Sequence, residues 1–435
     1  MQFIKSNYRV VTAVLILINL TACNTEDKFK DVTYNQDIAA IINEKCVICH
    51  RAGEVGPMPL QTYEQIAAFA TPIEFAVQSR RMPPWHADAS VGKFANDRSL
   101  NDEQYKKVLS WIEQGYPEGT GKAPALKTYT DGWQIGKPDI EFTIPEPVTI
   151  PETGEIDYQY QIVPTNFTED RWIIAAEVRP EQRGHAHHVT VSVLPNDEQV
   201  PPATEMGIHC PQFALSQQAE KHNEELRREG HSTAHIDGEF LVGWGVGIQF
   251  IKLPEGAAIR IPAGSKLVFQ LHYVTNGVAT VDASTKIGLT FADKKITKQV
   301  HTLKISNQQF VIPPHAKQHE AIACYTLTNP VTLVDLMPHM HLRGKDFRYS
   351  VTLPDGEVKQ LLYVPHYDFE WQTIYRLAEP LALPAGSKLN VLAHFDNSAG
   401  NPHNPNPEQE VYFGEQTDDE MLLGYAVVMS DLSNP

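Results

Sequence analysis

Residues 261–267 read IPAGSKL, and residues 383–389 repeat them as LPAGSKL. The similarity continues in register, because His272 and His394 follow the two copies at the same distance and an aromatic residue follows each histidine. Each copy holds a proline and a glycine and then alternates apolar with polar residues, which is typical of a turn leading into a β-strand. The repeat predicts two copies of one antiparallel sandwich, divided near residue 298.

The surrounding sequence favours the same architecture. Proline and glycine separate short alternating runs, among them residues 158–163, 172–178, 189–193 and 266–273. Such runs are typical of antiparallel sandwiches. We therefore predict a first all-β, jelly-roll-like sandwich domain at residues 138–298 and a second at 299–435, with a possible inserted helix at residues 216–228.

The N-terminal part has helical spacing instead. Apolar residues between positions 36 and 45 lead directly into Cys46, Cys49 and His50, which form the sequence C-x-x-C-H. This is the c-type haem attachment motif, in which both thiols add to the haem vinyl groups and the histidine reaches the iron. The motif predicts one covalently bound haem c.

A sixth ligand for that iron must come from further along the chain. We predict Met82, because a thioether raises the haem potential and the two prolines that follow it fix a turn. Met58 and His86 are the alternatives. With a further helix that starts after Asn101, these features predict a small all-α domain of class I cytochrome c type.

The predicted haem domain spans residues 32–121 and is followed by a linker at 122–137. Before it, residues 1–22 carry two basic residues, an apolar run too short to span a membrane, and the ending Leu-Thr-Ala before Cys23. This reads as a signal peptide. The ending resembles the lipobox of bacterial lipoproteins, which implies that Cys23 is lipidated and that residues 23–31 form a tether.

The same resemblance implies a lipid anchor in the bacterial cell envelope, at the outer membrane facing the periplasm, because Asn24 follows the cysteine. The alternative is an ordinary secretory signal with an unmodified Cys23. Cys210 and Cys324 are left over, and they could pair in an oxidising compartment.

Composition bounds the class of protein. The chain has 435 residues, of which 42% are hydrophobic and 9% aromatic, enough for several packed cores. The formal net charge is −17, and it becomes −19 once the two basic residues of the leader are removed. A protein this acidic is a poor partner for nucleic acid.

Two histidine clusters are the candidate metal sites. Residues 335–344, DLMPHMHLRG, place His339 and His341 on one face of a strand, where both rings can reach one metal. Earlier in the chain the segment 185–188 reads HAHH. Strand alternation by itself puts His185 and His187 on one face of that strand and the next histidine on the other.

These segments resemble the copper type II monooxygenases, the family of peptidylglycine α-hydroxylating and dopamine β-monooxygenases. The resemblance implies that His187, His188 and His272 hold an electron-storing copper. It gives His185 the place of a supporting or alternative ligand. Gln270 matches a glutamine near that copper.

By the same resemblance His339, His341 and Met421 bind the catalytic copper, with Tyr425 nearby. Two imidazoles and a thioether suit a copper that cycles between oxidation states. By the symmetry of the repeat, His394 is an alternative to the thioether ligand.

The resemblance covers roughly residues 138–435, with two departures. Met337 occupies the place of an arginine that grips the substrate carboxylate in the peptide-amidating members, and Leu423 replaces a polar substrate contact. A substrate with a C-terminal glycine is therefore not expected.

We expect an oxidoreductase that carries two copper ions and one haem c. The resemblance implies a copper-dependent monooxygenase that hydroxylates an activated C–H of a small organic substrate with O2. A redox protein or a small reductant supplies electrons, which pass through the haem and the electron-storing copper. The alternative is a copper- and haem-bearing electron-transfer or copper-sensing lipoprotein that performs no oxygenation.

Overall fold

The computed structural model describes residues 29–52, 54, 56–129, 132–154, 156–196, 207–210, 221, 238–245, 250–414 and 416–432. The predicted signal peptide, Cys23 and nearly all of the possible helix at 216–228 lie outside the described residues. The described part is mostly β-sheet with few helices, in agreement with predicted sandwiches. None of its helices is long and apolar enough to cross a bilayer.

Several helical elements lie near the N-terminus. A π-helical turn, Tyr34–Ile38, is followed by α1 (Ala39–Lys45), α2 (Tyr63–Ala68), α3 (Ala70–Gln78) and α4 (Asp102–Glu113). The predicted helix start at Asn101 is confirmed, because its side chain accepts the Gln104 backbone N–H at 2.9 Å and the Gln104 side chain accepts the Asn101 N–H in return. These helices enclose an apolar core that includes Ile38 and Trp111.

The strands of the first half are β1 (Ile140–Thr143), β2 (Val148–Ile150), β3 (Gln159–Pro164), β4 (Arg171–Arg179), β5 (Ala186–Leu194), β6 (Gly207–His209), β7 (Glu239–Gly245), β8 (Phe250–Lys252), β9 (Ala257–Ile261), β10 (Lys266–Tyr273), β11 (Thr280–Asp282) and β12 (Lys286–Phe291). Those of the second half are β13 (Lys298–Ser306), β14 (Val311–Ile312), β15 (His319–Leu327), β16 (Val331–His339), β17 (Gly344–Thr352), β18 (Val358–Val364), β19 (Tyr375–Leu383), β20 (Lys388–Phe395), β21 (Val411–Tyr412) and β22 (Leu423–Asp431).

Two sandwiches result, and they share one sheet. In the first, the sheet β3-β10-β5-β7 packs on β1-β12-β4-β9, and in the second, β18-β17-β20-β15-β6 packs on β13-β22-β16-β19. Strands β9 and β13 pair in parallel. This pairing joins the sheet β1-β12-β4-β9 of the first sandwich and the sheet β13-β22-β16-β19 of the second into one continuous sheet. Val300 of β13 and Met429 of β22 pack in the core of the first sandwich. Strands β13 and β22 of the second sandwich therefore also contribute side chains to the core of the first.

The sequence repeat occupies equivalent places in the two sandwiches. Its first copy connects β9 to β10, and its second connects β19 to β20, so each copy crosses from one sheet to the facing one. Gly264 and Gly386 have φ values of +73° and +85°. Because glycine adopts this left-handed conformation without a steric penalty, the turn explains why both copies carry it.

A disulfide links the two halves. Strand β6 precedes β7 in the chain but pairs with β15 of the second sandwich. Cys210, directly after β6, forms a disulfide with Cys324 of β15, with their Cα atoms 5.5 Å apart. The pairing that the sequence left open is thus present.

The helical region packs against the second sandwich. Trp85 and Phe94 contact the ring of Tyr375 at the start of β19, with ring centroids 4.9 and 5.4 Å away. Backbone hydrogen bonds also connect residues 88–95 to β18 and β19. A side-chain cluster and main-chain bonds together hold the helical region in place.

Candidate metal centres

The first histidine cluster is formed by two neighbouring strands. Residues His187 and His188 lie on β5, and the antiparallel register places His272 of β10 opposite His188. The next register pair is Tyr273 with Ala186, so His187 is the extra residue of a β-bulge. A bulge interrupts strand alternation. This explains how two adjacent histidines face the same site although alternation separates them.

The spacing of this cluster fits one metal ion. Nδ1 of His187 lies 3.2 Å from Nδ1 of His188 and 3.2 Å from Nδ1 of His272. Two nitrogens bound about 2.0 Å from one metal at a tetrahedral angle lie about 3.3 Å apart. The donor atoms of all three residues lie within 4.8 Å of one another.

These imidazoles are prepared for metal binding by their surroundings. Burial, reinforced by the neighbouring histidines, lowers the pKa of His188 and brings that of His272 to about 4. Histidine binds metals in its neutral form. The cluster is therefore ready to accept a cation at neutral pH.

His185 does not join the cluster. It lies just before β5, and its Nε2 is 2.9 Å from the backbone oxygen of Val278. The ring of His185 is thus hydrogen-bonded to a backbone carbonyl outside the cluster. His394 is also engaged elsewhere, because its Nδ1 lies 2.9 Å from the carboxylate of Asp346.

The second cluster lies at the end of β16. Strand β16 ends at His339, and His341 follows two residues later, with the ring centroids 5.2 Å apart and the rings nearly perpendicular. Nδ1 of His339 lies 2.9 Å from Oε1 of Gln372, and Nδ1 of His341 lies 3.1 Å from the backbone oxygen of Asp419. Because each oxygen accepts a hydrogen bond from Nδ1–H, each ring keeps Nε2 for a metal.

Burial also keeps these two rings neutral. It lowers the pKa of His339 and, together with the neighbouring ring, lowers that of His341 to about 3. Met421 lies directly before Leu422 and β22, and its side chain is buried. Because Leu423 pairs with His339 across β22 and β16, the register brings the methionine segment next to the histidines.

Glu420 connects the parts of this second cluster. Its fully buried carboxylate accepts the backbone N–H of His341 at 2.9 Å, that of Arg343 at 2.5 Å and that of Met421 at 3.3 Å. Burial raises the pKa of Glu420 to about 8, against the effect of these hydrogen bonds. The sequence predicted a role for the neighbouring Met421 and none for Glu420.

A cavity between the sandwiches is bounded by both clusters. Its lining includes His188, Gln270, Lys304, His339, Met421 and Tyr425. Tyr425 lies on β22 opposite Met337 of β16, and its ring centroid is 5.8 Å from that of Phe240. A small molecule in this cavity would therefore reach the second cluster and would contact a mostly apolar and aromatic wall.

One aromatic ring lies between the two clusters. The ring centroid of Phe369 is 5.7 Å from that of His187 and 5.7 Å from that of His341. The sequence did not suggest this residue, because it lies in a connection far from either histidine segment. The clusters are thus separated locally by a single side chain.

The cysteine motif lines a second cavity. Its wall includes Cys46, Cys49, His50, Met58 and Met82. Both thiols are free, and Nδ1 of His50 lies 3.1 Å from the backbone oxygen of Met58, which leaves Nε2 for an iron. Both predicted methionines reach the cavity, whereas His86 is not part of its described lining.

The wall of this cavity extends to the first histidine cluster. His187, Glu370 and Trp371 line it together with the cysteine motif. Nε2 of His187 lies 3.2 Å from Oε2 of Glu370. A group bound in this cavity would therefore be adjacent to a residue of the first cluster.

Comparison with known families identifies the class of the C-terminal part. Residues 298–432 match the family described as the C-terminal domain of copper type II ascorbate-dependent monooxygenase. The matched range contains His339, His341 and Met421 and covers about a third of the chain. At the level of that family, the match supports a copper-dependent monooxygenase that uses O2, a substrate and a reductant such as ascorbate.

Solved structures are similar to the chain only at a low level. PNGF-II is 10% identical with a TM-score of 0.28, over 67% of this chain and 65% of that one. A structure of infectious bursal disease virus, Gx strain, is 10% identical with a TM-score of 0.20, over 68% and 71%. Xanthan lyase from Paenibacillus is 8% identical with a TM-score of 0.17, over 72% and 28%. A comparison with curated proteins found no match.

Proposed function

We propose that this protein is a copper-dependent monooxygenase whose electrons enter through a covalently bound haem c. The observation that carries the proposal is the arrangement of three sites in a row. His187 lies in the wall of the cavity lined by the cysteine motif and in the first histidine cluster, and Phe369 lies between that cluster and the second.

In this proposal residues 32–121 form the cytochrome c domain. Cys46 and Cys49 attach the haem and His50 binds the iron through Nε2, because Nδ1 is held by a backbone oxygen. Met82 supplies the sixth ligand, with Met58 as the alternative, since both line the cavity. A thioether ligand favours a high potential.

The first cluster would hold the electron-storing copper on His187, His188 and His272. Three ring nitrogens at the spacing described above support this assignment. The residues act by holding the ion in a buried site next to the haem cavity, so that an electron travels a short path within one chain. A tethered donor replaces a diffusional encounter by an effective concentration on the order of mM.

The second cluster would hold the catalytic copper on His339, His341 and Met421. A copper ion there would supply one-electron chemistry with O2. The protein's part is to keep both rings neutral, to fix their Nε2 atoms toward the metal and to present a soft thioether. Tyr425 and the apolar walls position a small organic substrate with its reactive C–H near the methionine.

The proposal includes the cell envelope as the place of action. Cys23 would carry the lipid anchor at the outer membrane, with the protein facing the periplasm. The disulfide between Cys210 and Cys324 supports an oxidising compartment.

Metal analysis and electron transfer test the proposal together. The purified protein should contain one iron and two copper ions per chain. Anaerobic pulse reduction of the haem, with both coppers oxidised, should be followed by reoxidation of the haem within the same molecule. The absence of iron or copper, or reoxidation that is equally fast in His272→Ala, would contradict the proposed route.

A further inference from the structure

A short segment between β18 and β19 touches all three proposed redox sites. Residues 369–372, which we name the bridging segment, read Phe-Glu-Trp-Gln. Phe369 contacts rings of both histidine clusters, Glu370 and Trp371 line the cavity of the cysteine motif, and Gln372 contacts His339. Four consecutive residues therefore reach three places that the chain assembles from distant positions.

The segment is held in shape by its own hydrogen bonds. The backbone N–H of Glu370 donates to the carboxylate of Asp368 at 3.0 Å, and the N–H of Trp371 donates to the Asp368 backbone oxygen at 3.1 Å. Nε2 of Gln372 donates to the backbone oxygen of Phe369 at 2.8 Å. This last bond fixes the amide, so that its Oε1 faces Nδ1 of His339.

Glu370 lies beside the first cluster. Its Oε2 lies 3.2 Å from Nε2 of His187, while Nδ1 of the same ring faces His188 and His272. A carboxylate next to one ring nitrogen favours the proton there and leaves the other nitrogen for a metal.

One of the two contacts crosses the boundary between the sandwiches, and the other lies within the second sandwich. His187 belongs to the first sandwich, whereas the bridging segment and His339 belong to the second. One rigid turn thus touches a ligand from each half. Any change in how the sandwiches approach each other would move His187 relative to Glu370 without moving Gln372 relative to His339.

We propose that the bridging segment is a positioning device that orients His187 through Glu370 and His339 through Gln372, and so sets the relative placement of the two coppers. The inference rests on the proposed binding of copper at both clusters. Neither residue is assigned as a ligand or as a catalytic group. Each acts through the imidazole that it touches.

The test uses Cu(II) titration of the full-length protein, monitored by electron paramagnetic resonance. A His339→Ala background leaves the first site, and a His272→Ala background leaves the second. In the first background, Glu370→Gln should weaken copper binding about 10- to 100-fold and change the copper spectrum. In the second, Gln372→Leu should do the same, and Gln372→Glu, which retains an acceptor oxygen, should restore most of the affinity.

Glu379→Gln is the matched control, because it removes the same charge from an exposed position on β19. It should leave both sites unchanged. Near-ultraviolet circular dichroism verifies that each variant is folded. Because Glu370→Gln and Gln372→Glu are near-isosteric, the test does not depend on Gln372→Leu alone. If wild-type protein binds two coppers and the Glu370 and Gln372 variants match the control in affinity and spectrum, the positioning role is wrong while the proposed function stands. If wild-type protein binds no copper, both fail.

Discussion

The two clusters differ in the ring nitrogen that they offer. Nδ1 of His187 faces His188 and His272, whereas Nδ1 of His339 and of His341 faces an oxygen of the protein. The second pair is therefore prepared to bind through Nε2. Individual hydrogen bonds determine this difference, since the residue types are the same.

Removal of one ligand tests the first cluster. His272→Ala takes away one of three closely spaced nitrogens, so we expect bound copper to fall from two ions to one per chain. Inductively coupled plasma mass spectrometry of the dialysed protein measures the copper content per chain. His394→Ala is the control, because this histidine has the equivalent position in the repeat but pairs with Asp346. Loss of copper in the control would contradict the assignment.

Met421→Leu separates oxygenation from simple electron transfer. The change keeps an apolar side chain of similar volume and removes the thioether. We expect substrate-dependent O2 consumption to fall by at least about tenfold, with haem-to-copper electron transfer retained. Met429→Leu, a buried methionine of the first core, should have wild-type activity. Full O2 consumption in Met421→Leu would contradict a catalytic role for this thioether, whereas no substrate-dependent O2 consumption in the wild type would favour the electron-carrier alternative.

Pairs of strands bring distant residues together. The ladder of β5 and β10 pairs His188 with His272, 84 positions later in the chain (272 − 188), and the bulge at His187 adds a third ring to the same site. The ladder of β16 and β22 does the same for the second cluster, where Glu420 bonds to the loop after β16. Register and bulge together build both sites.

The Glu420 contact predicts a measurable loss of stability. In Glu420→Gln one acceptor oxygen becomes an NH2 group, which leaves at least one buried backbone N–H without a partner. We expect a cost of about 1–3 kcal/mol in the free energy of unfolding. Urea denaturation followed by circular dichroism measures the change, and Glu379→Gln serves as the exposed control. An unchanged midpoint would show that the three bonds are dispensable.

The disulfide between Cys210 and Cys324 predicts an effect on stability and on strand β15. Cys210→Ser with Cys324→Ser removes a link between residues 114 positions apart, which increases the freedom of the unfolded chain. We expect stability to fall by about 2–5 kcal/mol, together with faster amide hydrogen exchange in β15. Mass spectrometry measures the exchange, and unchanged exchange in β15 would contradict a structural role for this link.

The whole molecule is organised by how the helical region meets the sandwiches. Trp85 and Phe94 pack on Tyr375 of the second sandwich, and Arg183 of the first sandwich forms a 2.7 Å ion pair with Glu54 beside the cysteine motif. The helical region therefore touches both sandwiches. Its placement brings the cavity lined by the cysteine motif against His187.

Loosening this contact should slow electron transfer. Phe94→Ala removes a ring that packs on the second core, a change that costs about 3–5 kcal/mol where packing is tight. We expect slower reoxidation of the haem after pulse reduction, with copper content unchanged. Phe75→Ala, whose ring on α3 is 65% exposed, should leave the rate as in the wild type. Equal rates in both variants would show that this packing does not control the transfer.

The sequence by itself determined the features that depend on a few neighbouring residues. Examples are the strand at 266–273, the capped start of α4 after Asn101 and the repeated turn with its glycine. Each follows from spacing within one or two turns or strands, where side-chain periodicity is decisive. The two histidine pairs were also visible at this range, although their assignment to copper relied on family resemblance.

Only the tertiary structure decided how these parts meet. The bulge that turns His187 toward His188, the disulfide between the halves and the contacts of Phe369 and Glu370 all join residues from distant parts of the chain. Such contacts depend on strand register and on the packing of whole sheets, which no local pattern encodes. For that reason a loop between β18 and β19 that the sequence did not single out lies at the centre of the proposed redox path.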